Sequence, residues 1–108
     1  MRSMNQKYKL SKLAESDLTG IWRYTAETWS QDQANRYVKM IMDAFNEIAK
    51  APAVLGRSYE HVRQGYRKYT IGKHVVFYQL TADGGAMISR ILHEKMDYDR
   101  HLNSVISH

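Results

Sequence analysis

The first half of the chain keeps a helical beat. Ala14, Leu18, Ile21, Thr25 and Trp29 recur at steps of three or four, with Leu13 and Trp22 beside them. That spacing lays them along one face of an amphipathic helix. Ser11 stands just before it, where its hydroxyl can accept from an orphan amide of the first turn. Ser30-Gln31-Asp32-Gln33 has the spacing of a capping box and opens a second helix. Ala34, Tyr37, Ile41, Ala44 and Ile48 supply its apolar stripe, joined by Val38 and Phe45. Pro52 cannot continue that helix and biases Ala51 away from helical angles, so the element ends near Lys50. Two long helices with so short a connection make an antiparallel hairpin.

The beat then changes. Residues 7–11 alternate weakly and predict a short first strand. Residues 52–65, punctuated by Pro52, Gly56 and Gly65, predict a loop. Tyr66–Ile71, His74–Thr81 and Ala86–His93 are rich in Val, Ile, Tyr, Thr and Phe and predict three strands. Gly72-Lys73 and Asp83-Gly84 predict two-residue turns between them. Those turns pair His74 with His93, Val76 with Ile91, Phe77 with Arg90, Leu80 with Met87, Lys68 with Phe77 and Tyr69 with Val76. One face then carries Tyr69, Ile71, Val76, Tyr78, Leu80, Met87 and Ile91, and is the face the helices cover. The other carries the row Lys68–Phe77–Arg90, with Thr70, Gln79 and Thr81 nearby. A short helix is expected after Asp97. The fold class is α+β: a short N-terminal strand, an antiparallel helical hairpin on a small antiparallel sheet, and a short C-terminal helix.

Composition narrows the setting. The 108 residues make one domain, 1–108, with 44% hydrophobic and 25% charged side chains, as expected of an ordered globular chain. The chain has no cysteine, which excludes disulfides and thiolate metal sites. The first ten residues hold no apolar h-region, and the longest apolar run, Val75-Val76-Phe77-Tyr78, is far too short to span a membrane. A cytoplasmic location and no membrane partner are therefore expected. The formal charge is +5 and unevenly placed: residues 12–50 carry five basic and six acidic groups, residues 51–108 eight basic and five acidic. All five histidines lie in the last segment. A basic balance favours an acidic partner, a nucleic acid, or an enzyme that handles one.

Several words in this sequence resemble the RelE/ParE superfamily of bacterial toxins, and its ParE branch in particular. They are Leu10-Ser11-Lys12-Leu13-Ala14-Glu15-Ser16-Asp17-Leu18, then Ile21-Trp22-Arg23-Tyr24-Thr25 with Trp29. Further on come Pro52 with Leu55-Gly56-Arg57, His74-Val75-Val76-Phe77-Tyr78, and Arg90-Ile91-Leu92-His93-Glu94-Lys95-Met96-Asp97. The resemblance runs from about Lys7 to Leu102. Lys12 stands where the family often has proline and Lys95 where it often has arginine; both keep the local role. The resemblance implies the toxin of a type II toxin–antitoxin pair. ParE-like members inhibit DNA gyrase by binding, stalling it on cleaved DNA, and are neutralised in a hetero-oligomer by a ParD-like antitoxin. RelE-like members instead cut mRNA on the ribosome.

The residues carry both readings. RNA cleavage through the 2′-hydroxyl needs a base, an acid and a cation. His74 and His93, opposed across two strands, could supply the first two, with Arg90, Arg67 or Lys95 as the cation and Tyr98 as a stand-in acid; equally, the imidazoles could cap the sheet end. The stretch from Arg57 to Lys73 holds Arg57, Arg63, Arg67, Lys68 and Lys73 against the single acid Glu60, with Tyr59, Tyr66 and Tyr69 between them. Arg and Tyr in such a run grip partners or stack bases, or else form a solvated strand edge. Lys68–Phe77–Arg90 reads as two cations flanking an exposed ring. Trp22 borders the helical stripe, and Met40 lies on the outer side of its helix. His93-Glu94 lacks the second histidine of a zinc helix, and Gly84-Gly85 is a turn, so no metal and no cofactor are expected.

The charge split together with the resemblance favours a binding inhibitor over an enzyme. Its gyrase-facing residues are expected to be Arg67, Lys68, Arg90, His93, Lys95 and Met96, with gyrase-bound DNA as a further contact. The antitoxin is expected on Trp22, Tyr24, Tyr37 and Arg57. The alternatives are a ribosome-dependent endonuclease using His74, His93, Arg90 and Tyr98, and a non-toxic interaction module of the same fold.

Overall fold

The computed structural model describes residues 8–53, 55–58 and 65–95. The chain runs β1 (Tyr8–Leu10), α1 (Lys12–Thr28), α2 (Gln31–Lys50), β2 (Arg57–Ser58), β3 (Tyr66–Ile71), β4 (His74–Leu80) and β5 (Ala86–His93). Both helices start where the serines dictate. Ser11 Oγ accepts from the Ala14 amide at 2.9 Å and Ser30 Oγ from the Gln33 amide at 3.0 Å. Each bond satisfies one donor the helix cannot satisfy itself. Across the hairpin the Trp22 indole N–H donates to Asn35 Oδ1 at 2.8 Å. Among the described residues no helix is long and apolar enough to cross a membrane. The helix expected after Asp97 lies outside the described residues, as do Met96, Tyr98 and Arg63.

The sheet departs from expectation in composition and in register. It has five strands in the order β1-β5-β4-β3-β2, and it is mixed, because β1 runs parallel to β5. Arg57 and Ser58, expected in a loop, form a short edge strand on β3, with Arg57 opposite Lys68. The predicted pairs hold from His74–His93 through Phe77–Arg90. A bulge then shifts β5, so that Tyr78 faces Ile88 and Leu80 faces Ala86 rather than Met87. The cause lies in the turn. Residues 81–85 form one loop instead of a two-residue Asp83-Gly84 turn: the Thr81 amide donates to the Gly85 carbonyl at 3.0 Å, and Asp83 Oδ1 accepts from the Gly85 amide at 3.1 Å. The longer loop and the extra residue in β5 go together.

The helices pack Ala14, Ile21, Ile41, Phe45 and Ile48 against Val76, Tyr78, Ala86, Ile88 and Ile91. These apolar groups fill the interface between hairpin and sheet. The expected polar face is not polar. Val75 and Leu92 are nearly inaccessible and Phe77 is fully buried, so β4 is buried on both faces. Phe77 is therefore no exposed ring between cations, although Lys68 and Arg90 do flank it in register. Leu80, expected under the helices, is 45% exposed past the bulge, and Trp29, expected in the stripe, is 72% exposed at the hairpin turn.

Candidate partner-binding groove

β1 covers only Ala86 to Ile88, which leaves the rest of β5 as an edge with unpaired amides and carbonyls. The start of α1 closes it. The Ser11 amide donates to the Ile88 carbonyl at 3.0 Å, and the Ser11 hydroxyl to the Ser89 carbonyl at 2.8 Å. Asp17 Oδ2 accepts the Ile91 amide at 2.9 Å. The same carboxylate takes the Arg90 guanidinium through two bonds, Nε at 2.8 Å and Nη2 at 2.9 Å. The two side chains are only 11% and 14% exposed. This corrects the expectation for Arg90: its charge is neutralised inside the fold and holds a helix to a strand.

Arg67 is committed in a similar way. Its guanidinium donates to the Leu55 and Gly56 carbonyls at 3.2 and 3.0 Å, and to the Tyr78 hydroxyl at 3.4 Å. The Tyr78 hydroxyl in turn donates to the Leu55 carbonyl. Burial raises the Tyr78 pKa, so the phenol keeps the proton it donates. Gly56 sits at φ 77°, and a Cβ there would stand 2.6 Å from the Lys68 carbonyl and 2.8 Å from the Tyr78 hydroxyl. The Leu55-Gly56-Arg57 word is thus the place where the incoming chain is stitched to the sheet.

Between α1, the start of α2 and the ends of β4 and β5 lies a groove of about 810 Å³. Ile21, Ile91 and Leu92 give it an apolar floor; Tyr24, 67% exposed, and Trp29 rise along it. Gly20 lines it as well, and a Cβ there would meet nothing within 4 Å. Its polar end is built on Tyr37. The Lys73 amide donates to the Tyr37 hydroxyl at 3.0 Å, and that hydroxyl lies 2.7 Å from His74 Nδ1. While accepting the Lys73 amide, the phenol can direct its own proton at His74 Nδ1. Desolvation raises the Tyr37 pKa, which keeps that proton in place. The His74 and His93 rings meet edge-on at 5.3 Å, and His93 Nδ1 accepts the Lys95 amide at 3.1 Å. Burial, and then the neighbouring His93, push the His74 pKa down to about 4, so the ring is neutral near pH 7.

The candidate residues therefore separate. His74, His93, Tyr24 and Tyr37 share the groove. Trp22 lies on the other side of α1, in a shallower depression with Leu18 and Val38. Arg57 and Lys68 pair at the far sheet edge, Arg57 exposed and Lys68 half-buried. Lys95 is exposed just beyond β5. Asp17 and Gly20 were not singled out by the sequence, and Lys73 and Trp29 were named only within a basic run and a helical stripe. Asp17 and Arg90 are 73 positions apart, and no spacing rule joins them. Trp29 sat on a helical stripe that ends one residue before it. Among the described residues no cluster of three or more His, Asp or Glu side chains could hold a metal ion.

Comparison with known proteins agrees with this architecture. Residues 8–98 match the family described as the ParE toxin of the type II toxin–antitoxin system parDE. A Mycobacterium tuberculosis protein named toxin ParE1 is 38% identical over 99 residues, covering 92% of this chain and all of that protein. A Caulobacter vibrioides toxin ParE1 is 37% identical over 95 residues, covering 88% of this chain and 96% of its own length. A solved chain titled as a chromosomal ParDE system from P. aeruginosa superposes with a TM-score of 0.71 at 20% identity, over 84% of this chain and 98% of that one. The helical hairpin on its sheet is thus a known fold, and the matches over most of the chain place it: the chain belongs to the ParE toxin family of type II toxin–antitoxin systems.

Proposed function

We propose that this protein is a cytoplasmic toxin that inhibits DNA gyrase by binding it, without catalysis of its own, and that a ParD-like antitoxin neutralises it by filling the groove. Family membership supplies the class. The observation that carries the choice of binding over cutting is the state of the three catalytic candidates within the described residues. Asp17 neutralises the Arg90 guanidinium, His93 already uses Nδ1 as an acceptor, and His74 Nδ1 is engaged with the Tyr37 hydroxyl. The lone pair with which a neutral His93 would act as a base is thus already hydrogen-bonded inside the fold. The exposed cation Lys95 is left for the gyrase-facing surface, with Lys68 on the sheet, and Arg67 and Arg90 hold the strands that present them. Tyr24, Trp29 and Tyr37 offer the antitoxin aromatic anchors along an apolar floor.

Expression in a bacterial host tests this. Arrest with DNA breaks, an SOS response and intact mRNA supports gyrase, and purified toxin then blocks supercoiling. Lys95→Ala weakens that block while the fold persists; undiminished inhibition removes Lys95 from the surface. The second reading, a ribosome-dependent endonuclease, draws on one observation, that His74 and His93 line an open groove. Codon-linked mRNA cleavage on induction would establish it. Unaffected growth without antitoxin would leave a non-toxic module.

A further inference from the structure

We infer that the polar end of the groove is a carboxylate receptor: the Nε2–H groups of His74 and His93, beside the Lys73 ammonium, take an acidic side chain of the segment that fills the groove. This rests on the antitoxin being that segment.

The hydrogen bonds point to the donors. His93 Nδ1 accepts the Lys95 amide, so its neutral ring holds the proton on Nε2. His74 Nδ1 lies 2.7 Å from the Tyr37 hydroxyl, and a phenol proton directed at it places the His74 proton on Nε2 as well. Neither Nε2 has a partner among the described residues, and both rings line the groove. Two N–H donors on adjacent strands, with rings 5.3 Å apart, match the two oxygens of one carboxylate. The surrounding charges permit it. On α1, Asp17 is held by Arg90 and the Ile91 amide. Across the turn, Glu94 is paired with Lys73 at 3.8 Å, and Tyr37 on α2 is neutral. A nucleic-acid backbone fits less well. The groove offers one ammonium, contains the carboxylate of Asp17, and is walled by Ile21, Tyr24, Trp29 and Ile91. Such walls suit the apolar face of an amphipathic peptide, and a net charge of +5 favours acidic residues on it.

A carboxylate held by neutral Nε2–H donors needs no change in protonation. The test is calorimetric titration of the intact toxin with its purified ParD-like antitoxin at neutral pH. Asparagine keeps an acceptor near the Nδ1 position and removes the Nε2 donor, whereas glutamine keeps a donor there. His93→Asn and His74→Asn should each weaken binding about tenfold, and His93→Gln should recover most of it. Equal affinity in both asparagine variants overturns the receptor while leaving the antitoxin reading intact. Displacement of the antitoxin by a labelled RNA oligonucleotide, lost in the same variants, overturns it in favour of a phosphate site. Failure of the unaltered toxin to bind the antitoxin overturns both readings.

Discussion

Arg90 and Lys95 stand five positions apart at the end of one strand, carry the same charge, and do opposite things. Arg90 is drawn across the β5 edge onto Asp17 and is almost sealed from solvent. Lys95 lies past the last ladder bond and is exposed, and among the described residues its backbone amide alone is engaged, on His93. A guanidinium offers a planar fork that a carboxylate can take through two bonds, so it can be desolvated usefully; an ammonium at a strand exit stays hydrated. A basic residue in a family motif can therefore be a rivet or a handle, and its backbone environment decides which.

That contrast can be broken at its strongest point. Asp17→Ala takes the bidentate carboxylate away from a buried guanidinium and from the Ile91 amide, and should cost about 3–5 kcal/mol, read as a lower urea midpoint. A loss under 1 kcal/mol would show Arg90 to be a handle after all. Tyr78→Phe removes the hydroxyl joining Arg67 to the Leu55 carbonyl and should cost about 1–3 kcal/mol in the same measurement. Gly72→Ala sets a Cβ 2.7 Å from the Tyr37 hydroxyl at φ 59° and should cost about 1–2 kcal/mol, displacing the Tyr37 ring signals in NMR. The pH dependence sharpens the contrast from the other side. The His74 pKa is depressed in the folded chain, so its contribution is whole above about 6.5 and is lost as pH falls toward about 4. His74→Asn, which keeps an acceptor for Tyr37, should flatten that part of the thermal-unfolding profile. Lys95→Ala should change stability by less than about 0.5 kcal/mol, the ordinary result for an exposed side chain.

The helices were legible because each rule that shapes them is local. The Ser11 and Ser30 caps, the three-and-four stripe and the Pro52 stop all act within a few residues of where they are read. The first half of the β4–β5 ladder was legible for the same reason. The bulge after Phe77 was not, since it depends on how the Thr81, Asp83 and Gly85 groups bond inside the loop. The double burial of β4 did leave a trace: four successive apolar residues, Val75 to Tyr78, mark a strand covered on both sides rather than an alternating one. At the groove, His74 opposite His93 followed from register, but Asp17 and Trp29 reach it only through the way α1 packs on β5.

Gly20 gives the toxin a soft spot of a particular kind. It sits in mid-helix with open space where a methyl would go, and alanine there should strengthen α1 by about 1 kcal/mol. A laboratory search for heat-resistant versions would be drawn to that substitution early. It would also thicken the wall of the channel at one of its barest points, so the hardier molecule would give an incoming helix less room to approach.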